Sequence, residues 1–207
     1  MIYMTKIPLI FLLVLSGCSS FSFYSEVVNS IKVVVLPNNL EITQEFYNDF
    51  EYSFVQATFG RSDSVIMVLE EYDRPHYKWV SSDGIRITTN SFGKVVETEG
   101  LPNDLYLTGI TKENIIDIKG LGSYSSDFYS PRLTQALTLT NLSSQQQSNI
   151  MYLGNQRSFT LYEERISIPS IYWNEKNYYW MDGKKIIKTI QTLSPNQSSL
   201  ELTFYIK

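Results

Sequence analysis

The chain has 207 residues, with 17 Lys and Arg against 21 Asp and Glu, a formal charge of −4 at pH 7, and 43 % hydrophobic residues. That mild acidity is spread along the chain, and the densest basic group, Lys184, Lys185 and Lys188, has no interleaved aromatic stripe, so nucleic acid is not the expected partner. A single cysteine and a single histidine exclude an internal disulfide and a His/Cys zinc site.

The first element is a leader over residues 1–17. It carries one cation, Lys6, then Ile7–Leu15, apolar except for Pro8, then Ser16-Gly17-Cys18. A spanning helix needs about 20 apolar residues, whereas a signal-peptide core needs roughly 7–15 and ends in small residues. "LSGC" resembles the bacterial lipobox, which implies cleavage before Cys18, a diacylglycerol on its sulfur and an acyl chain on the new amino terminus. More than one chain is what stable anchoring requires. By the sorting rule of Gram-negative lipoproteins, Ser19 in place of an aspartate implies the outer membrane, with the domain facing the periplasm. The mature protein is expected to be one domain, residues 18–207.

After the anchor, Tyr24, Val27, Val28 and Ile31 follow the spacing of one helical face and predict a short amphipathic helix packed on the body. From residue 51 the period changes. "EYSFVQATF", "VIMVLEEY", "HYKWVSS", "IRITTNSF" and "KVVETEG" read as short strands, and Asp83-Gly84 predicts a type I′ hairpin turn. Residues 101–131 read as shorter strands, "LYLTGI" and "NIIDIK", with a long loop that takes in "SYSSDFYSP". The last third returns to strands: "LTQALTLTNL", "SFTLYEERISIP", "SIYWNEKNYYWM", "KIIKTIQTLS" and "LELTFYIK", with a second Asp-Gly turn at Asp182-Gly183. Ten or so strands with few helices predict an all-β, mainly antiparallel domain, either a β-sandwich or a curled, barrel-like sheet.

Catalytic signatures are sparse. His76 follows a proline, opens a predicted strand and has no G-x-S-x-G elbow to serve, so an edge or exposed position is expected. Glu70-Glu71 and Glu163-Glu164 cannot act as acid/base pairs, because strand neighbours point to opposite faces. "GLGSYS" lacks the lysine of a phosphate loop. The expectation is a non-enzymatic protein with no cofactor or metal.

The stretch "YWNEKNYYWMDG" stands out. Tyr172, Trp173, Asn174, Tyr178 and Tyr179 form a candidate contact surface for glycan or a protein partner, since aromatic faces stack on sugar C–H surfaces and amides bond hydroxyls. The same spacing also suits a strand whose alternate aromatics enter the core, with a polar bulge or turn at "NEKN".

Three stretches, "KWVSSDGIRITTNSFGKVVETEGLPNDL", "YYWMDGKKIIKT" and "LELTFYIK", resemble in order and spacing the group 4 capsule polysaccharide lipoproteins of the YjbF/GfcB type. The resemblance implies an all-β lipoprotein taking part in capsule or exopolysaccharide production or export, through polysaccharide or export-machinery partners. It brings no catalytic residues, and the positions matching Trp79, Asp83, Trp180 and Asp182 read as a buried tryptophan beside a turn-setting aspartate, twice. Two other readings stand beside it: a carrier with an internal cavity for a lipid or lipid-linked sugar, and a polysaccharide-modifying enzyme with two carboxylates converging in a groove.

Overall fold

The computed structural model describes residues 35–36, 41–109 and 121–207. Cys18 and the predicted helix at 24–31 lie outside the described residues, as does the whole of "NIIDIK". The strands are β1 (Val35–Leu36), β2 (Phe54–Phe59), β3 (Ser64–Asp73), β4 (His76–Ser81), β5 (Arg86–Asn90), β6 (Val95–Glu99) and β7 (Leu105–Thr108), then β8 (Leu121–Phe128), β9 (Leu133–Tyr152), β10 (Asn155–Ile168), β11 (Trp173–Asp182), β12 (Lys185–Gln191) and β13 (Leu200–Tyr205). One short helix, α1 (Gln44–Asp49), precedes β2.

These strands form one sheet, in which β2 to β13 follow as an antiparallel meander and β13 returns to pair with β2. Pairing of β3 with β4 completes a closed ring of twelve strands, and β1 adds to β3 beside it. The barrel-like expectation holds, and the sandwich does not: a single sheet closes on itself through the β13–β2 and β3–β4 pairings.

A ring of twelve strands is wider than the eight that side chains alone readily fill. Here two devices fill it. Large residues alternate inward along each strand, among them Trp79, Phe204, Met67, Ile87 and Ile168, all essentially without exposure. In addition the β5–β6 turn reaches into the interior. Gly93 sits at φ +75°, and a Cβ there would come within 2.7 Å of Ile186 on β12. Gln191 of β12 holds the same turn, its amide donating to the Gly93 carbonyl at 2.7 Å and its Oε1 accepting from Val95 N at 3.0 Å. One small cavity of about 20 Å³, beside Lys94, Tyr124, Trp173 and Asn177, has room for one water and not for an acyl chain.

A second core covers the outside. Thr43 caps α1 by accepting from Phe46 N at 3.2 Å. The helix lays Phe46 and Phe50 against Phe54 and brings Tyr47 to Tyr205. The far half of the β9–β10 hairpin bends over the same face. Tyr152 lies parallel to Tyr205 at 5.4 Å, its hydroxyl donates to the Phe204 carbonyl at 2.9 Å, and Trp180 Nε1 donates to Ser148 at 3.1 Å. The register shift at Tyr162/Glu163 marks where this arm departs.

Several local expectations are corrected. "SYSSDFYSP" supplies β8 rather than a loop, because Ser126 and Thr138 satisfy each other inside the barrel at 2.7 Å. Strand β9 continues ten residues past Leu142 to Tyr152. "NEKN" is regular strand, and the irregularity of β11 falls at Trp180/Met181 instead. The Asp83-Gly84 turn is not type I′. Only Gly84 has positive φ, Gly84 N donates to Ser81 O, and Ser81 N pairs with Ile85 O around the loop Ser82–Gly84.

Candidate functional site

The register of β9, β10 and β11 decides which residues share a face. Arg165 stands opposite both Asn141 and Lys176, Ser167 opposite Leu139 and Asn174, and Glu163 opposite Tyr178. Since strand neighbours alternate, these residues lie together on the outer surface, and Glu164, Ile166 and Ile168 face the interior. An open groove of about 820 Å³ runs along this region, lined by Leu139, Asn141, Arg165, Ser167, Lys176 and Tyr178 among others.

The two cations of the groove, Arg165 and Lys176, converge on Glu163 beside it. Arg165 Nε donates to its Oε1 at 3.0 Å, and Lys176 Nζ lies 3.1 Å from the same oxygen and 3.2 Å from Oε2. Hydrogen bonds from Arg165 and Lys176 hold the Glu163 carboxyl below its ordinary range. A carboxylate kept ionised in this way is a poor proton donor. Asn174, Asn141 and Ser167 add amides and a hydroxyl to the floor, Leu139 an aliphatic surface, and Tyr178 an aromatic wall whose ring centroid is 6.3 Å from that of Trp180.

The sequence candidates divide between three environments. Asn174 and Tyr178 line the groove. Tyr172 closes the 3₁₀ turn after Pro169 with a left-handed φ of 54° and is 92 % exposed. Trp173 turns inward, edge-on to Phe128 at 6.4 Å, where the ring supports the core instead of a ligand. Tyr179 is buried, so its ring offers no surface contact. The candidate stretch therefore contains both of the arrangements its spacing allowed, on alternate residues.

Tyr179 belongs instead to a polar knot inside the barrel. Glu164 accepts from Lys94 Nζ at 2.5 Å, Thr140 Oγ1 at 2.5 Å, Tyr179 OH at 2.6 Å and Asn177 Nδ2 at 3.1 Å. Lys94 also lies over the Tyr124 ring at 4.6 Å, and Asn177 Oδ1 accepts from Thr192 N at 2.9 Å. Burial pushes the Glu164 pKa up, but the Lys94 charge and the hydrogen bonds from Lys94, Thr140 and Tyr179 outweigh it and hold the carboxyl below its ordinary value. Burial likewise opposes the Lys94 charge, yet Glu164 and Tyr124 keep its pKa above normal. With every oxygen of Glu164 engaged, the knot is suited to positioning the β5–β6 turn rather than to chemistry.

Sequence reasoning missed Arg165, Lys176, Glu163 and Leu139. The available signal was the shared period of two in "EERIS" and "NEKNYY", which places cations and a carboxylate on one face once the two strands are paired.

These features define a closed meander barrel that carries a polar, aromatic-walled groove on its outer surface. The chain belongs to the family described as group 4 capsule polysaccharide lipoprotein gfcB, YjbF, whose model matches residues 24–205. Among solved structures the fold is similar to that of the hypothetical lipoprotein YmcC from Escherichia coli K12, with a TM-score of 0.69 and 15 % identity, covering 92 % of this chain and 97 % of that one. At that identity the likeness concerns the fold. No curated protein matches the chain.

Proposed function

We propose that this lipoprotein is a non-enzymatic accessory in capsule or exopolysaccharide production or export, and that it acts by binding glycan in the β9–β11 groove. The observation that carries the reading is the composition of that groove: an aromatic wall at Tyr178, amides at Asn141 and Asn174, and two cations, Arg165 and Lys176, that hold the Glu163 carboxylate beside it. Such a surface stacks on sugar C–H faces and bonds hydroxyls. Anchoring through acylated Cys18 in the outer membrane, with the barrel in the periplasm, would hold the groove beside polysaccharide in transit.

The test is titration of the full-length protein in detergent with purified surface polysaccharide from the cells that make it, by calorimetry. Saturable binding that Tyr178→Ala weakens roughly 10-fold or more is expected, the scale of one lost stacking contact. Absence of binding would overturn the glycan reading and move the role to a protein of the export machinery. Normal surface polysaccharide after a clean deletion would sink the accessory role altogether.

A further inference from the structure

We infer that the groove's glycan is acidic, and that Arg165 receives a sugar carboxylate beside the ring stacked on Tyr178. The inference rests on the glycan reading of the groove and adds the substrate class. On the face that carries Tyr178, two cations, Arg165 and Lys176, share one carboxylate, Glu163. Glu175 also lines the groove, but its place in the register, opposite Ile166, puts it on the other face of β11. The shared face is thus left with an excess of one positive charge in a protein whose formal charge is −4.

Geometry singles out Arg165 from the two. Its bond to Glu163 runs through Nε alone, and among the described residues its terminal nitrogens make no other bond to a side chain. A guanidinium bound at Nε still presents its paired outer N–H groups, which match the two oxygens of a carboxylate. The side chain is 64 % exposed, so a ligand can reach it without displacing anything. Glu163 orients the fork, while Asn141 and Asn174, across from Arg165 and Ser167 in the register, stand where the neighbouring hydroxyls of the same sugar would fall.

The experiment compares the native surface polysaccharide with the same material after its carboxyl groups are reduced to alcohols, each titrated into the full-length protein, Arg165→Gln and Arg165→Lys. The native form is expected to bind roughly 10- to 100-fold more tightly than the reduced form. Arg165→Gln should abolish that difference while retaining the weaker binding of the reduced form, and Arg165→Lys should keep only part of it. Equal binding of both forms, a preference that survives Arg165→Gln, or a binding polysaccharide that contains no carboxylates would each overturn the acidic assignment and leave glycan binding intact. If the native polysaccharide does not bind at all, the glycan reading falls and the acidic assignment falls with it.

Discussion

Lys94 and Glu164 are 70 positions apart and meet inside the barrel at 2.5 Å, the ammonium coming from the β5–β6 turn and the carboxylate from the middle of β10. Glu163, one residue earlier, points the opposite way and organises the outer groove. The pairing of β10 thereby sets an interior device and an exterior site on successive residues.

The buried pair has a pH signature. Because the folded-state pKa of Glu164 lies below its ordinary 4.5, its contribution is complete above that value and is lost as pH falls through the folded pKa. Removing one partner leaves a buried charge unpaired, so Glu164→Gln or Lys94→Met should each cost about 3–5 kcal/mol. The double change Lys94→Met with Glu164→Leu should recover much of that loss and flatten the acid side of the stability profile. Urea denaturation across a pH series checks both. An unchanged acid limb in the double variant would show that the pair does not govern acid stability.

Gly93 is required by both conformation and space. Alanine there would have to hold φ at +75° and place a methyl 2.7 Å from Ile186 and 2.9 Å from Thr189. Left-handed strain and overpacking together predict a loss of roughly 2–4 kcal/mol. Gly84 is also at positive φ, but a methyl there would meet nothing within 4 Å, so its alanine variant should lose only the strain component. Thermal unfolding of the two alanine variants separates the effects, and equal losses would mean the β5–β6 turn is not confined.

Tyr152 ties the arm of β9 and β10 to β13. Burial pushes its hydroxyl up to about 12, so it remains a donor to the Phe204 carbonyl throughout the physiological range. Tyr152→Phe should cost about 1 kcal/mol. Tyr152→Ala also removes the stacking on Tyr205 and the edge-to-face contact with Phe159 and should open the arm to protease. New cleavage between residues 146 and 158 in the alanine variant alone is the expected result of limited proteolysis. Wild-type resistance in that variant would show that Trp180 and Ser148 suffice.

Under the proposed anchoring at Cys18, its replacement by Ser removes the acyl acceptor and should move the protein from the membrane fraction to the soluble periplasmic fraction. Fractionation with and without globomycin-type inhibition of signal cleavage checks it. Retention of the variant in the membrane would remove Cys18 as the anchor.

Much of the fold was legible because the relevant signals are local. Alternation in "LTQALTLTNL" marked a half-buried strand, and glycine punctuated the hairpins even where the turn type differed: Gly183, at φ +58°, opens the two-residue link between Asp182 and Lys185. The failures fell where local chemistry was overruled from a distance. Serine-rich "SYSSDF" became strand because β7 and β9 flank it, and the polar run after Leu142 stayed extended because it pairs with β10 and its end packs on Tyr205.

The sequence by itself determined a mainly antiparallel all-β chain, the alternation of strands such as "LTQALTLTNL" and membership of a lipoprotein family. Only the tertiary structure decided that the sheet closes, that Tyr179 and Glu164 go inside, and that Tyr178, Lys176 and Arg165 line a groove outside with Glu163 bonded beside them. The reason is physical. A period of two states that neighbouring residues face opposite ways, but which way is inward depends on the pairing of β3 with β4 and on the register of β9, β10 and β11, contacts made between residues far apart in the chain.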